Sequence, residues 1–332
     1  MTRPQVSKSL TILGTGTCLP EKVLTNADLE KMVDTNDQWI TERTGIKERR
    51  IAAEGTNTST LAAEALRNAA KNANMDLAEL DTIIVATSTP DTVFPSTACW
   101  TQRELKLPGA AALDVSAGCT GWLYALELAS NLLVGGTGKK IGIVGAEVMS
   151  RVINWKDRGT CVLFGDGAGA AIVTRGEGER GILSSNWGAD GTLAPILYQP
   201  AGGTQMPASE VTVAENKHTV HMEGRQVFRH AVGKMAKATR KAIKDAGIEP
   251  TDVDLLIPHQ ANTRIISATG ERTGIPNDRV YICVQRYGNI SAATIPIALH
   301  DAIQEGRLER GQLVAFTAFG TGLTWAASIL RY

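Results

Sequence analysis

Residues 64–87 read EALRNAAKNANMDLAELDTIIVAT, and residues 237–260 read KATRKAIKDAGIEPTDVDLLIPHQ. The two stretches align without a gap at a shift of 173 residues, so that Ala69 falls on Ala242, Ala73 on Ala246 and Asp81 on Asp254. In each, an alanine-rich helical pattern gives way to an apolar run of strand type. The echo continues in looser register. ALDV (112–115) leads through the turn SAGC to GWLYALELASNLLVGG, and VYICV (280–284) leads through RYGN to ISAATIPIALHDAIQEG, so strand, tight turn and helix are expected in both. Both helical patterns end at glycine, Gly135 or Gly306, as capped helices do. The apolar runs IGIVGAEV (141–148) and LVAFTAF (313–319) come next, and each half closes on a last one, AAIV (170–173) and AASIL (326–330).

Strands alternating with helices imply mostly parallel sheets covered on both faces. Two such halves, 1–175 and 176–332, are expected to stack into a layered α/β core with pseudo-twofold symmetry, and ligands should collect where the strands end. Composition agrees with a globular chain: 332 residues, 43% hydrophobic, with 34 basic against 34 acidic side chains. A net charge of zero provides no global field for nucleic acid or an anionic membrane, so an acidic partner would need a local basic patch. No apolar run approaches the length of a membrane helix, and Met1–Gln5 (MTRPQ) does not read as a signal sequence. A cytoplasmic protein is expected. The five cysteines are scattered, with no C-x-x-C pair and no histidine at ligand spacing, so neither a disulfide framework nor a metal site is expected.

Gly165–Ala170 (GDGAGA) fits a dinucleotide fingerprint in letters only. That motif must open a helix, and here AIVTRGEG continues as a strand. Gly14 and Gly16 precede a loop. A tight crossing of backbones accounts for both sets.

Three residues fall at the ends of strands or at strand-to-helix turns: Cys119, His259 and Asn289. Alone, each has an ordinary structural reading: an inert small side chain, a satisfied histidine, a helix cap for Ser291 onward with Pro296 distorting the start. As a set they read as a catalytic constellation converging on one crevice. Cys119 would lie at the positive end of a helix, which lowers a thiol pKa, and unpaired N–H groups of that turn could face an oxyanion. A thiol, an imidazole and a carboxamide suit papain-like hydrolysis, and they also suit acyl transfer to carbon. The latter needs neutral donors around a developing enolate, such as His259 Nε2–H and the Asn289 amide.

Around these residues the chain resembles the β-ketoacyl-[acyl carrier protein] synthase III group of thiolase-fold condensing enzymes. The likeness is carried by TNADLEKMVDTNDQWITERTGIKERR, DVSAGCTG, DRGTCVLFGDGAGAA, PHQANTRI, YGNISAA and AFGTGLTW, in order and over nearly the whole length. It implies an α-β-α-β-α thiolase-like duplicated fold. It also implies a ping-pong reaction: Cys119 takes an acyl group from acyl-CoA, and malonyl on acyl carrier protein is then decarboxylated and condensed, with His259 and Asn289 assisting. The alternative within the resemblance is an acyl-CoA-dependent acyltransferase or a condensing enzyme of a secondary-metabolite pathway.

The resemblance assigns further residues. Trp39 and Arg43, four apart on one helix face, are suited to sandwich adenine; Arg158, Phe228 and Asn262 match positions along the CoA and pantetheine path. Arg264, with Arg229 beside it, matches the carrier-protein docking site. Thr321 takes the position whose backbone N–H joins that of Cys119 in the oxyanion hole, a departure from glycine that restricts the backbone. Phe94 matches a gate to the partner subunit's acyl pocket in a homodimer and suggests a short primer such as acetyl. CoA thioesters are then substrates, and no resident cofactor is implied. Lys234, Lys237, Lys241 and Lys244 read as a solvated helix face.

Overall fold

The computed structural model describes residues 8–176 and 178–332; the reading of Met1–Gln5 lies outside them. The internal echo is structural. Helices Thr58–Asn72 and Gly224–Asp245 end 173 residues apart, and the 3-10 turns Leu77–Glu79 and Pro250–Asp252 and the strands starting at Thr82 and Leu255 repeat at the same shift. Both 3-10 turns are fixed by a reciprocal capping box, Asp76 with Glu79 and Glu249 with Asp252. The same local chemistry thus sets the same helix-to-strand corner twice.

Two five-stranded sheets carry the core. The first runs in the order Thr11–Cys18, Asp166–Thr174, Lys140–Val148, Thr82–Ala86, Ala111–Val115; the second runs Lys8–Ser9, Gly181–Ala189, Thr324–Arg331, Leu313–Gly320, Leu255–Pro258. Lys8–Ser9 therefore pairs in one sheet and the chain passes at once to the other. The sheets are mixed rather than mostly parallel. Parallel pairing joins Thr82–Ala86 to both its neighbours and Leu255–Pro258 to Leu313–Gly320, and every other pair is antiparallel. The cause is connection length: no long helix follows Lys140–Val148 or Leu313–Gly320, and short links return a chain antiparallel.

Helices Gly121–Val134 and Thr294–Gln304 form the middle layer. Trp122, Leu126, Ile295 and Ala298 pack there with Ile84 and Ile143 from the first sheet and Val314 and Phe316 from the second. Thr58–Asn72 covers the outer face of the first sheet, and Gly224–Asp245 that of the second. This is the α-β-α-β-α order. The first outer helix lies so close that a Cβ on Gly14 would sit 2.5 Å from Ala69 O, and one on Gly16 would collide with the Ala69 backbone. GDGAGA enters the strand Asp166–Thr174, with Gly169 against the Ile297 backbone.

VYICV does not form a strand. A single parallel bridge joins Leu256 to Val280, and by Val284 the chain is already helical. The reason is Gln260. Its buried amide donates to Pro258 O (2.8 Å) and Tyr281 O (3.1 Å) and accepts from Cys283 N (2.8 Å) and Val284 N (3.2 Å), taking the bonds that a neighbouring strand would have made.

Candidate active site

Cys119 lies in the 3-10 turn Gly118–Thr120 that runs directly into helix Gly121–Val134. Gly118 holds φ +55°, and a Cβ there would lie 2.5 Å from Thr321 Cγ2 and 2.8 Å from Thr321 N. A Cβ on Gly320 would lie 2.6 Å from Cys119 N. Only glycine lets the Cys119 turn and the closing turn approach this way. Their contact is tied by hydroxyls: Thr120 donates to Thr324 Oγ1 (2.7 Å), Thr324 Oγ1 lies 3.0 Å from Ala117 O, and the Thr321 hydroxyl donates to Leu197 O. The Gly118–Cys119 backbone is thereby packed against Gly320–Thr321, with Cys119 N–H in a turn whose early donors have no helical acceptor.

The expectation of a depressed thiol pKa is overturned. Cys119 opens into the cavity, yet the packed protein around it pushes the thiol up to about 12, chiefly by desolvation; a hydrogen bond to Ser291 lowers it and the nearby Glu147 charge raises it further. Cys119 Sγ lies 3.6 Å from Ser291 Oγ, and no hydrogen bond joins it to His259 among the described residues.

His259 follows the strand Leu255–Pro258 and is buried, its backbone N–H on Thr317 O at 2.8 Å. Desolvation lowers its pKa to about 3, so the imidazole is neutral across the physiological range. Its Nδ1 lies 2.6 Å from Thr294 Oγ1, which is also 3.0 Å from Ser291 O. The Thr294 proton serves one acceptor at a time. Directed to Nδ1, it leaves the ring proton on Nε2, the tautomer a donor role requires. Asn289 accepts the Ser291 N–H through Oδ1 (2.9 Å), so the amide is oriented rather than free. The expected helix cap is not formed: Ile290, not Asn289, holds the N-cap position of a 3-10 turn, Ser291–Ala293, and the α-helix starts only at Thr294, leaving Pro296 in its first turn.

These three residues line one cavity of about 770 Å³, together with Ser88, Ser291, Phe319 and Thr321. Trp39, Arg43, Arg225, Phe228, Asn262 and Arg264 line it as well. Arg43 and Arg158 both lie over the Trp39 ring, at 5.8 and 5.1 Å from its centroid, and Arg158 also donates to Asp34 O (2.7 Å). Arg158 itself does not line the cavity, although Gly159 does. Arg264 lies 5.4 Å from the Phe228 centroid. Asn262 caps helix Thr263–Thr273 through Oδ1 and donates to Arg43 O (3.0 Å), joining the two arginine-bearing helices. Arg229 is exposed and outside the cavity lining. Phe94 is 84% exposed and does not line this chain's own cavity. Among the described residues no group of three or more His, Cys, Asp or Glu side chains could hold a metal, and no helix is long and apolar enough to cross a membrane.

Residues 113–191 match the family model for 3-oxoacyl-[acyl-carrier-protein] synthase III, and residues 243–332 match its C-terminal model. A β-ketoacyl-[acyl-carrier-protein] synthase III of Caldanaerobacter subterraneus subsp. tengcongensis is 54% identical over 321 residues, covering 97% of each chain. The chain belongs to the β-ketoacyl-[acyl-carrier-protein] synthase III family. An Aquifex aeolicus synthase III is 49% identical over 97% of this chain and 99% of its own. The crystal structure of the synthase III from Aquifex aeolicus VF5 superposes with a TM-score of 0.90 at 48% identity, covering 97% of this chain and all of that one. As a synthase III the chain is a thiolase-fold condensing acyltransferase of the kind that initiates fatty-acid synthesis.

Sequence reading missed Ser291, Ser88, Arg225 and Glu147. Ser291 stood inside YGNISAA. Glu147 was visible as a lone acid near the end of the apolar strand IGIVGAEV, a placement that a buried carboxylate occupies only with dedicated partners.

Proposed function

We propose that the chain condenses a short acyl-CoA, acetyl-CoA in the first instance, with malonyl-[acyl carrier protein], giving a 3-ketoacyl-[acyl carrier protein], free CoA and CO2. The observation that carries this reading is the meeting of Cys119, a neutral His259 and an oriented Asn289 in one cavity whose lining also bears an indole and arginines. Cys119 sulfur attacks the acyl-CoA carbonyl, and the Cys119 and Thr321 N–H groups hold the oxyanion until CoA leaves. Malonyl thioester then enters. His259 Nε2–H and Asn289 Nδ2–H donate to its carbonyl oxygen as the C–CO2 bond breaks, and the carbanion attacks the acyl-cysteine. Neutral donors suit this step because they favour the enolate without trapping it by proton transfer.

Adenine would pack on Trp39 between Arg43 and Arg158, and pantetheine would pass Phe228 and Asn262. Arg264, with Arg225 and Arg229 on the same side, would receive the acidic carrier. A homodimer is supported by an edge of the first sheet that no further strand covers among the described residues. Strand Ala111–Val115 ends the sheet with Leu113 exposed, and its Asp114 accepts from Thr97 N (2.7 Å) and Ala98 N (2.8 Å) of the helix that follows Phe94–Pro95. Phe94 would then reach a partner's acyl pocket. The reading takes CoA thioesters as substrates, with no resident cofactor, and a cytoplasmic setting.

Intact-mass analysis after incubation with a series of acyl-CoAs tests the reading. An acetyl adduct lost in Cys119→Ala, followed by 3-ketoacyl product and CO2 on adding malonyl carrier, is expected. Acylation with no CO2 release would reassign the protein to simple acyl transfer.

A further inference from the structure

Glu147 is the next-to-last residue of the central strand Lys140–Val148 of the first sheet and is fully buried. Its carboxylate receives Thr89 Oγ1 (2.6 Å), Ser88 N (3.0 and 3.1 Å to its two oxygens), Thr87 Oγ1 (3.2 Å) and Ala292 N (3.4 Å). No salt bridge reaches it among the described residues. Desolvation raises the pKa of this buried carboxylate, and the donors around it, Thr89 Oγ1 foremost, work against that in favour of the ionised form. The Ala292 bond places it one residue from Ser291, whose hydroxyl also favours the carboxylate charge and whose Oγ is the hydrogen-bond partner of Cys119 Sγ at 3.6 Å. Ser291 holds φ +43°, a left-handed conformation uncommon outside glycine and found at sites that need a particular side-chain direction.

We propose that Ser291 and Glu147 form the route by which Cys119 gives up its proton during acylation. The proposal rests on Cys119 being the acylated residue. As the sulfur–carbonyl bond forms, the thiol proton moves to Ser291 Oγ and the Ser291 proton passes to Glu147. When the carbon–sulfur bond to CoA breaks, the departing thiolate takes a proton back along the same path and leaves as free thiol. Negative charge moves from the carboxylate through the attacking sulfur to the carbonyl oxygen and then to the departing CoA sulfur, so the dry site never acquires a second charge, which its low polarity would penalise heavily. A thiolate made by losing the proton to solvent would stand beside ionised Glu147. The other titratable groups nearby are His259, turned to Thr294, and Asp166 on the neighbouring strand, held by Ala52 N (2.7 Å) and Ser150 N (2.8 Å). Ser291 touches the reacting atom; Glu147 reaches it only through Ser291, as the terminal proton acceptor.

The test is the single-turnover rate of Cys119 acetylation by acetyl-CoA, followed by intact mass between pH 6 and 9. Wild type is expected to give a flat profile. Glu147→Gln should acylate about 100-fold more slowly at pH 7, the scale of a lost general base, and should gain about tenfold per pH unit as solvent takes over deprotonation. Ser291→Ala, which keeps the backbone and the carboxylate, should show the same rise and guards against misfolding of the first variant; melting temperatures accompany both. If Ser291→Ala or a folded Glu147→Gln keeps the flat profile, whatever its absolute rate, the relay is wrong and the pair is packing only. Failure of wild type to acylate at all would instead sink the acylation reading on which the relay rests.

Discussion

Phe164 and Asn289 form an isolated parallel bridge between the two halves of the chain. Asn289 N donates to Leu163 O (2.8 Å), and Gly165 N donates to Asn289 O (3.1 Å), so the backbone that aims the carboxamide is held from both sides by DRGTCVLFGDGAGAA. The segment is fixed in turn by the buried Arg49, whose guanidinium donates to Val162 O at 2.6 Å and Asn26 Oδ1 at 2.8 Å.

A methyl group on Gly165 would fall 2.7 Å from Tyr287 O and 3.0 Å from Arg49 Cβ. Gly165→Ala should therefore displace Asn289 while sparing the Cys119 turn. Condensation with malonyl carrier is expected to drop about tenfold or more, as small misplacements at reacting centres do, with acyl-enzyme formation changed by less than about threefold. Equal losses in both half-reactions would contradict this assignment.

The depressed pKa of His259 predicts a pH signature in stability. Unfolded, the imidazole titrates near its ordinary value of 6.5; folded, it stays neutral down to about 3. Between these values the unfolded chain binds the extra proton, so His259 costs stability progressively as pH falls from 6.5, and the cost levels off below 3. His259→Gln should remove this contribution, reducing the slope of unfolding free energy between pH 5.5 and 4 by about 1.4 kcal/mol per pH unit. Urea titrations across that interval would detect it; parallel curves for the two proteins would show that the ring protonates in place.

Trp39→Ala should raise KM for acetyl-CoA about tenfold with kcat little altered, since the indole would stack on the nucleotide, remote from the sulfur. Arg43→Ala should give a smaller rise. A truncated acetyl thioester without the nucleotide should be used equally well by wild type and both variants. Loss of that truncated activity would place Trp39 in the reaction itself.

Much of this architecture could be read from residue order because it is local. The alanine stripe of Thr58–Asn72, the capping box at Asp76 and the apolar run to Ala86 specify a helix, a corner and a strand without reference to the rest of the chain, and their copies do so again. Cys119, His259 and Asn289 were legible for a related reason, each standing where an apolar or small-residue run breaks. What resisted reading was set by contacts distant in sequence. VYICV has the β-branched and aromatic make-up of a strand, and it is the side chain of Gln260, more than twenty positions earlier, that withholds the ladder. The raised thiol pKa comes chiefly from burial, a property of the assembled site that no local pattern announces. Glu147 and Ser291 lie 144 positions apart, and neither carries a local pattern that names the other.

Gln260→Ala should be among the costlier single truncations. It would strand Tyr281 O and the N–H groups of Cys283 and Val284 in a buried region, with an expected loss of about 3 kcal/mol or more in unfolding free energy. Activity at low temperature should fall too, because the same segment leads through helix Val284–Tyr287 to Asn289. A variant as stable as wild type would mean that Tyr281–Val284 keeps its course unaided.

A repeated frame would by default yield two equal sites, one per copy. The missing strand at Val280 breaks that equality: where the first copy runs a full edge strand into the turn that bears sulfur, the second abandons pairing early and delivers an amide to the same chamber. Symmetry supplies the walls, and its local failure supplies unlike chemical groups facing one another, so restoring a regular strand there would be expected to improve the architecture and ruin the enzyme.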